Sequence, residues 1–150
     1  MKPFRFRLEK LLNVRQQQSK MAQNALALAR VRTRQATAFL ESAKAERIAS
    51  EERLLKRRTK RMTALEFRLA AQLHDEMIER EKRARQSLET ALAEEARRRE
   101  ELIEAERREK TLDRLKERQA EAHRIEMEAW EQAQLDEMAQ NIFREGGGRR

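Results

Sequence analysis

The chain reads as all-α, a long antiparallel two-helix coiled-coil hairpin, and three observations predict that fold. Charged residues fill 41% of the 150 positions, against roughly a quarter in an ordinary domain. The three glycines stand together at 146–148 and the single proline is Pro3, so positions 4 to 145 contain neither breaker. Sandwiches, barrels and doubly wound sheets need turn residues about every ten positions, which excludes them here. Apolar residues recur at alternating three- and four-residue steps. That is the narrow seam of a coiled coil rather than the wider face of a globular helix, and it separates this charge-rich chain from a disordered one.

The first helix is expected over about 4–58. Phe4, Leu8, Leu11 and Val14 follow one another at four, three and three, and Val14, Met21 and Leu28 recur at sevens. From Leu28 to Phe39 the step is eleven, so the register is expected to slip and the supercoil to loosen there. Between Ala22 and Ala49 the helix is crowded with alanine. Small seam residues let helices approach closely but bury little area, so this stretch is expected to be weakly stabilised.

The turn is expected at about 58–63. Thr63-Ala-Leu-Glu66 has the spacing of a capping box, in which a hydroxyl and a carboxylate satisfy two helix-start amides. The preceding KRRTKR (56–61) brings cations to the C-terminal dipole of the first helix. Gln72–Asp75 is the alternative turn site.

The second helix is expected over about 64–143. Ile48, Leu55, Met62 and Leu69 lie at sevens from the end of the first arm, through the turn, to the start of the second, with Leu65 beside them. Leu88 and Leu92, Leu112 and Leu115, then Leu135, Met138 and Ile142 repeat the short steps. A single unbroken helix over the whole of 4–145 would measure about 210 Å and would need another chain to cover its seam. Charge favours a hairpin instead. Residues 1–60 carry 16 Lys/Arg and 5 Asp/Glu, while residues 61–150 carry 19 and 22. The contrast sharpens at the ends, +8 over 1–40 and −5 over 117–145, which antiparallel arms would bring together. Arms 4–58 and 64–117 are expected to pair. Residues 118–143 then form a helical overhang, and 144–150 a disordered tail to a single hairpin domain of 1–145.

No run approaches the roughly 18 apolar residues of a membrane span. The opening MKPFRFRLEKLL is too charged for a secretory signal. The lack of cysteine leaves neither a disulfide framework nor a thiolate metal site, as befits a cytoplasmic protein. His74 and His123 are too far apart for a helical metal pair and read as solvated surface histidines. Glu94, Glu95, Glu100, Glu101 and Glu104 have no pocket to tune one of them for acid–base work, and no glycine loop precedes a helix to cradle phosphate. The residues therefore indicate no catalytic group, no metal and no cofactor, and the chain is not expected to be an enzyme.

KRRTKR and Arg97-Arg98-Arg99, in a chain of sequence pI about 10.4, carry enough charge to touch an acidic partner or membrane surface weakly. They lack stacking aromatics, and acids are interleaved through the second arm, so no specific nucleic acid is expected. More informative are apolar residues beyond the seam. Leu73, Met77 and Ala84, with Arg80 between, form one stripe of the second arm, and Trp130, Leu135, Met138, Ile142 and Phe143 crowd the overhang.

The two ends carry a resemblance. FRFRLEKLLNVRQQQ at residues 4–18, and LDRLKERQAEAHRIEMEAWEQAQLDEMAQ at 112–140, resemble the corresponding ends of the FliJ family of flagellar export proteins. The middle is similar in length, composition and lack of breakers. The resemblance implies an antiparallel two-helix coiled coil, similar to the central stalk of rotary ATP synthases. Its paired ends would insert into the hexameric ring of the export ATPase, FliI. It would also contact the export-gate membrane protein FlhA, and free export chaperones as further partners. It implies a cytoplasmic place, peripheral to the inner membrane at the flagellar basal body and held there through the export apparatus. The residues implied at the ATPase-facing end are Phe4, Leu8, Leu11, Leu12, Arg15, Arg118, Leu135, Asp136 and Met138. Those implied at the gate are Leu73, Met77, Arg80 and Ala84, where the chain departs from relatives that carry an aromatic and a histidine at Leu73 and Ala84. Two other readings stay open: the stalk of a virulence-type secretion system, and a basic helical protein that binds nucleic acid with a steep salt dependence.

Overall fold

A computed structural model describes residues 3–58 and 62–146. It contains two helices, α1 (Glu9–Arg58, 50 residues) and α2 (Ala64–Gly146, 83 residues), and no strand among the described residues. The helices pack against each other in opposite directions. Cross-helix partners lie 24 residues apart at Ser50 and His74, 34 apart at Arg47 and Glu81, and 58 apart at Thr33. This widening separation is that of a helical hairpin, the fold the sequence predicts.

The helix ends follow their capping chemistry. Residues 3–8 are not helical, although a helix was expected from about residue 4, because none of them is a Ser, Thr, Asp or Asn able to cap one. Instead the Glu9 amide bonds the Phe6 carbonyl at 3.3 Å, the Leu12 amide bonds Leu8 at 2.9 Å, and the Glu9 carboxylate sits in the first turn. At the start of α2 the Thr63 amide donates to Glu66 Oε2 at 3.0 Å, and the Glu66 amide to Thr63 Oγ1 at 3.3 Å. These amide donors hold the Glu66 carboxyl below its ordinary range. The rest of the expected turn, 59–61, lies outside the described residues. So does 147–150 of the expected tail, while 144–146 continue α2.

Two compact units divide the chain: Lys20–Glu104, and Met1–Ser19 with Ala105–Arg150. In the first, the core is Leu40, Ala43 and Ala84, with Leu88 packed against it. The covered positions of α1 include Leu26, Thr33, Leu40, Arg47 and Leu54, at sevens, with Ala22, Ala29, Ala36, Ala43 and Ser50 between them. Those of α2 include Ala70, Met77, Ala84, Ala91 and Arg98, with His74, Glu81, Leu88, Glu95 and Leu102. The seven-residue count in this unit is unbroken, which corrects the expected slip between Leu28 and Phe39. Met21 and Leu28 are 70% and 63% exposed and lie off the seam, as do Ile48, Leu55, Leu65 and Leu69. Large apolar side chains drew the expected register; the actual one is carried by alanines and by polar residues that bond across it.

Those polar groups are satisfied. The Thr33 hydroxyl bonds the Ala29 carbonyl at 3.1 Å and lies 3.4 Å from the Ala91 carbonyl of α2. Ser50 donates to the Arg47 carbonyl at 2.7 Å, and its oxygen is 2.9 Å from His74 Nδ1. Arg47 Nε donates to Glu81 at 2.6 Å. Among the described residues no buried side-chain polar atom lacks a partner. His74 is thus a half-buried seam residue, not the solvated histidine expected.

In the second unit Phe6, Leu12 and Ser19 are buried, and Ala105, Glu109, Leu112, Lys116 and His123 are half-buried on α2. The Phe4 and His123 rings stand 5.8 Å apart, so His123 too is a packed residue rather than a solvated one. Lys116 donates to Glu9 at 2.9 Å. That ion pair runs opposite to the charge contrast of the two ends, because its cation is on the acidic stretch's side and its anion on the basic one. Net charge over tens of residues does not dictate which individual charges meet. Past Met127 the described side chains of α2 are exposed to residue 144, apart from the half-buried Gln134.

Candidate functional site

Surface available to a partner in the unit formed by Met1–Ser19 and Ala105–Arg150 lies mainly along the later turns of α2. Leu135 and Met138 are more than half exposed, and Ile142 and Phe143 are 72% and 82% exposed. These open apolar side chains fall within nine positions, 135–143, and form a patch rather than scattered single residues. Asp136 accepts a bond from Gln132 at 3.1 Å one turn earlier. The turns before this run carry a fixed charge pattern: Arg124 bonds both Glu121 and Glu128 at 2.7 Å. Its hydrogen bond and charge hold the Glu121 carboxyl below the ordinary range, and in return the Glu121 carboxylate raises Arg124. Glu121 and Arg124 therefore stay ionised at any physiological pH.

The N-terminal members of the expected set divide by burial. Leu8 and Leu11 are exposed, Phe4 rests half-buried beside His123, and Arg15 bonds Gln18 at 2.9 Å. Arg118 is exposed on α2. Leu12, however, is 2% exposed and is a core residue of this unit, so it has no face for a partner. The correction follows from the register: of the adjacent leucines, Leu12 is the seam residue and Leu11 the outward one.

The second expected surface, in the unit Lys20–Glu104, also changes. Leu73 is exposed and Met77 half-buried. Ala84 is 0% exposed, in the core with Leu40 and Ala43, and cannot be touched. Arg80 donates to Glu46 at 2.7 Å, and its guanidinium stands 5.6 Å from the centre of the Phe39 ring. Sequence reading missed Glu46 and Phe39 as its neighbours. The unbroken register could have found them, because it pairs the α1 turn around residue 46 with the α2 turn around residue 80. Leu73 and Phe39 are therefore the exposed part of this surface, with Arg80 half-buried between them and Glu46. Among the described residues no cluster of His, Asp or Glu is placed to hold a metal, and no helix is long and apolar enough to cross a membrane.

No curated protein and no solved structure matches this chain. The family model described as Flagellar FliJ protein matches residues 4–148, nearly the full length. Both helices fall within that match, as do the two exposed surfaces, and the chain belongs to the FliJ family of proteins associated with flagellar export.

Proposed function

We propose that the protein acts as a central-stalk-like coiled coil of the export apparatus, with the end of α2 engaging the ring of the export ATPase, FliI. The observation that carries this reading is the exposed apolar run Leu135, Met138, Ile142 and Phe143 on turns of α2 that α1 does not cover. Leu8, Leu11, Arg15 and Arg118 contribute from the same unit. A part that works inside a symmetric ring needs contacts that are weak and replaceable from step to step, and exposed charges supply them. Leu73 and Arg80, with half-buried Met77, are proposed to meet the export gate, FlhA, holding the protein peripheral to the inner membrane. Free export chaperones are further partners on this reading.

The experiment is a titration of the purified protein into the cognate export ATPase, following ATP hydrolysis and light scattering together. Stimulated hydrolysis with assembly into hexamers is the expected result. An ATPase that is competent by itself and indifferent to the protein over the whole titration contradicts the stalk role.

A further inference from the structure

A second line of seam spacing runs along α1 in the Lys20–Glu104 unit, on the side that α2 leaves uncovered. Met21, Asn24, Leu28, Val31, Gln35 and Ala38 follow one another at alternating steps of three and four, and all six are exposed. From Asn24 onward, each lies two positions after a seam residue (Ala22, Leu26, Ala29, Thr33 or Ala36), and so about 200° around the helix from it. The borders of this line carry one sign of charge. Lys20 and Arg34 stand directly before Met21 and Gln35, Arg32 stands directly after Val31, and all three are exposed. Among the described residues none of them pairs with a carboxylate, whereas Arg30 reaches Glu95 across the seam at 3.8 Å. Residues 10–40 hold six Lys/Arg and no acid, so the face cannot neutralise itself.

We propose that this face of α1 binds an amphipathic helix of another protein, one whose apolar line is bordered by Asp or Glu. Side chains at such bordering positions form the ion pairs that choose a coiled-coil partner. A second copy of the same face would set cations against cations. The end of α2 from a second copy has apolar residues at the right steps, Leu135, Met138 and Ile142. Its borders are Gln134, Ala139 and Asn141, none of them an acid. A lipid surface would accept the cations but not Asn24 and Gln35 within the line. Their amides find hydrogen bonds in a facing helix and none among acyl chains. Neither the end of α2 nor the surface around Leu73 takes part, so the proposal is independent of the ATPase and gate reading.

The test titrates the full chain with two synthetic peptides of about three heptads, alike in a leucine and isoleucine seam and bordered by glutamate in one and lysine in the other. The chain has no cysteine, so a fluorophore on Ala27→Cys, beside Leu28, reports from the face itself. The glutamate peptide is expected to bind and shift the emission to the blue, and the lysine peptide to leave it unchanged. Met21→Ser with Leu28→Ser should weaken binding of the glutamate peptide by about tenfold or more. Arg32→Glu with Arg34→Glu should reverse the preference in favour of the lysine peptide. Should either pair fail to fold, as far-UV circular dichroism would reveal, the labelled chain with its two peptides still decides. An unshifted emission with the glutamate peptide overturns the proposal, as does equal binding of both peptides. So does self-association in sedimentation velocity that Met21→Ser with Leu28→Ser abolishes, which would identify a second copy as the occupant.

Discussion

Ala84 shows how narrowly one side chain can be constrained in a two-helix seam. With 0% exposure against Leu40 and Ala43, it sets how closely the helices approach. Ala84→Leu should cost about 1–3 kcal/mol through overpacking, read as a lowered melting temperature by circular dichroism; an unchanged melting curve would mean the helices are further apart there. Glu81 makes a different kind of statement. The Arg47 hydrogen bond, then the Arg47 charge and Arg85, hold its carboxyl below the ordinary glutamate range. A carboxyl depressed in the folded state stabilises above its unfolded pKa, and that contribution is lost as pH falls through the folded value. Wild type should therefore be more stable than Glu81→Gln at neutral pH, with the gap closing below about pH 4. A gap independent of pH would leave the ion pair without effect.

At the scale of the helices, the main lesson concerns register. Helix type and breaker-free length were legible because glycine and proline are confined to the ends, and the Thr63–Glu66 cap was legible because its chemistry is local. The seam was not, because its α1 side in the unit Lys20–Glu104 is largely alanine, serine, threonine and arginine, while Met21 and Leu28 repeat at sevens on the exposed face. Hydrophobic periodicity finds large side chains, and here two stripes compete. Close approach and cross-helix hydrogen bonds decide between them, and neither is visible in one strand of sequence. The same ambiguity put Ala84 in a stripe beyond the seam, and the resemblance implied Leu12 at the ATPase-facing end, yet both are buried. A pair of substitutions tests the register. Leu26→Ala removes a buried side chain and should cost about 2 kcal/mol or more. Leu28→Ala, on the exposed face, should stay within about 0.5 kcal/mol. Equal losses in thermal melts would place the seam elsewhere.

For the molecule as a whole, membership of the FliJ family ties the hairpin to flagellar export, and the exposed surfaces suggest how its parts divide the work. The end of α2 presents exposed apolar side chains, whereas Leu73 and the half-buried Arg80 form a smaller, mixed surface. The proposed stalk role requires the first of these specifically, and not merely some exposed leucine or methionine. Export ATPase stimulation should therefore be measured side by side for two variants. In one, Leu135, Met138, Ile142 and Phe143 are all changed to serine; in the other, Met21 and Leu28 are. Both remove exposed apolar side chains from helix surfaces. Stimulation should be abolished by the first set and retained with the second. Equal stimulation by both variants would contradict the account.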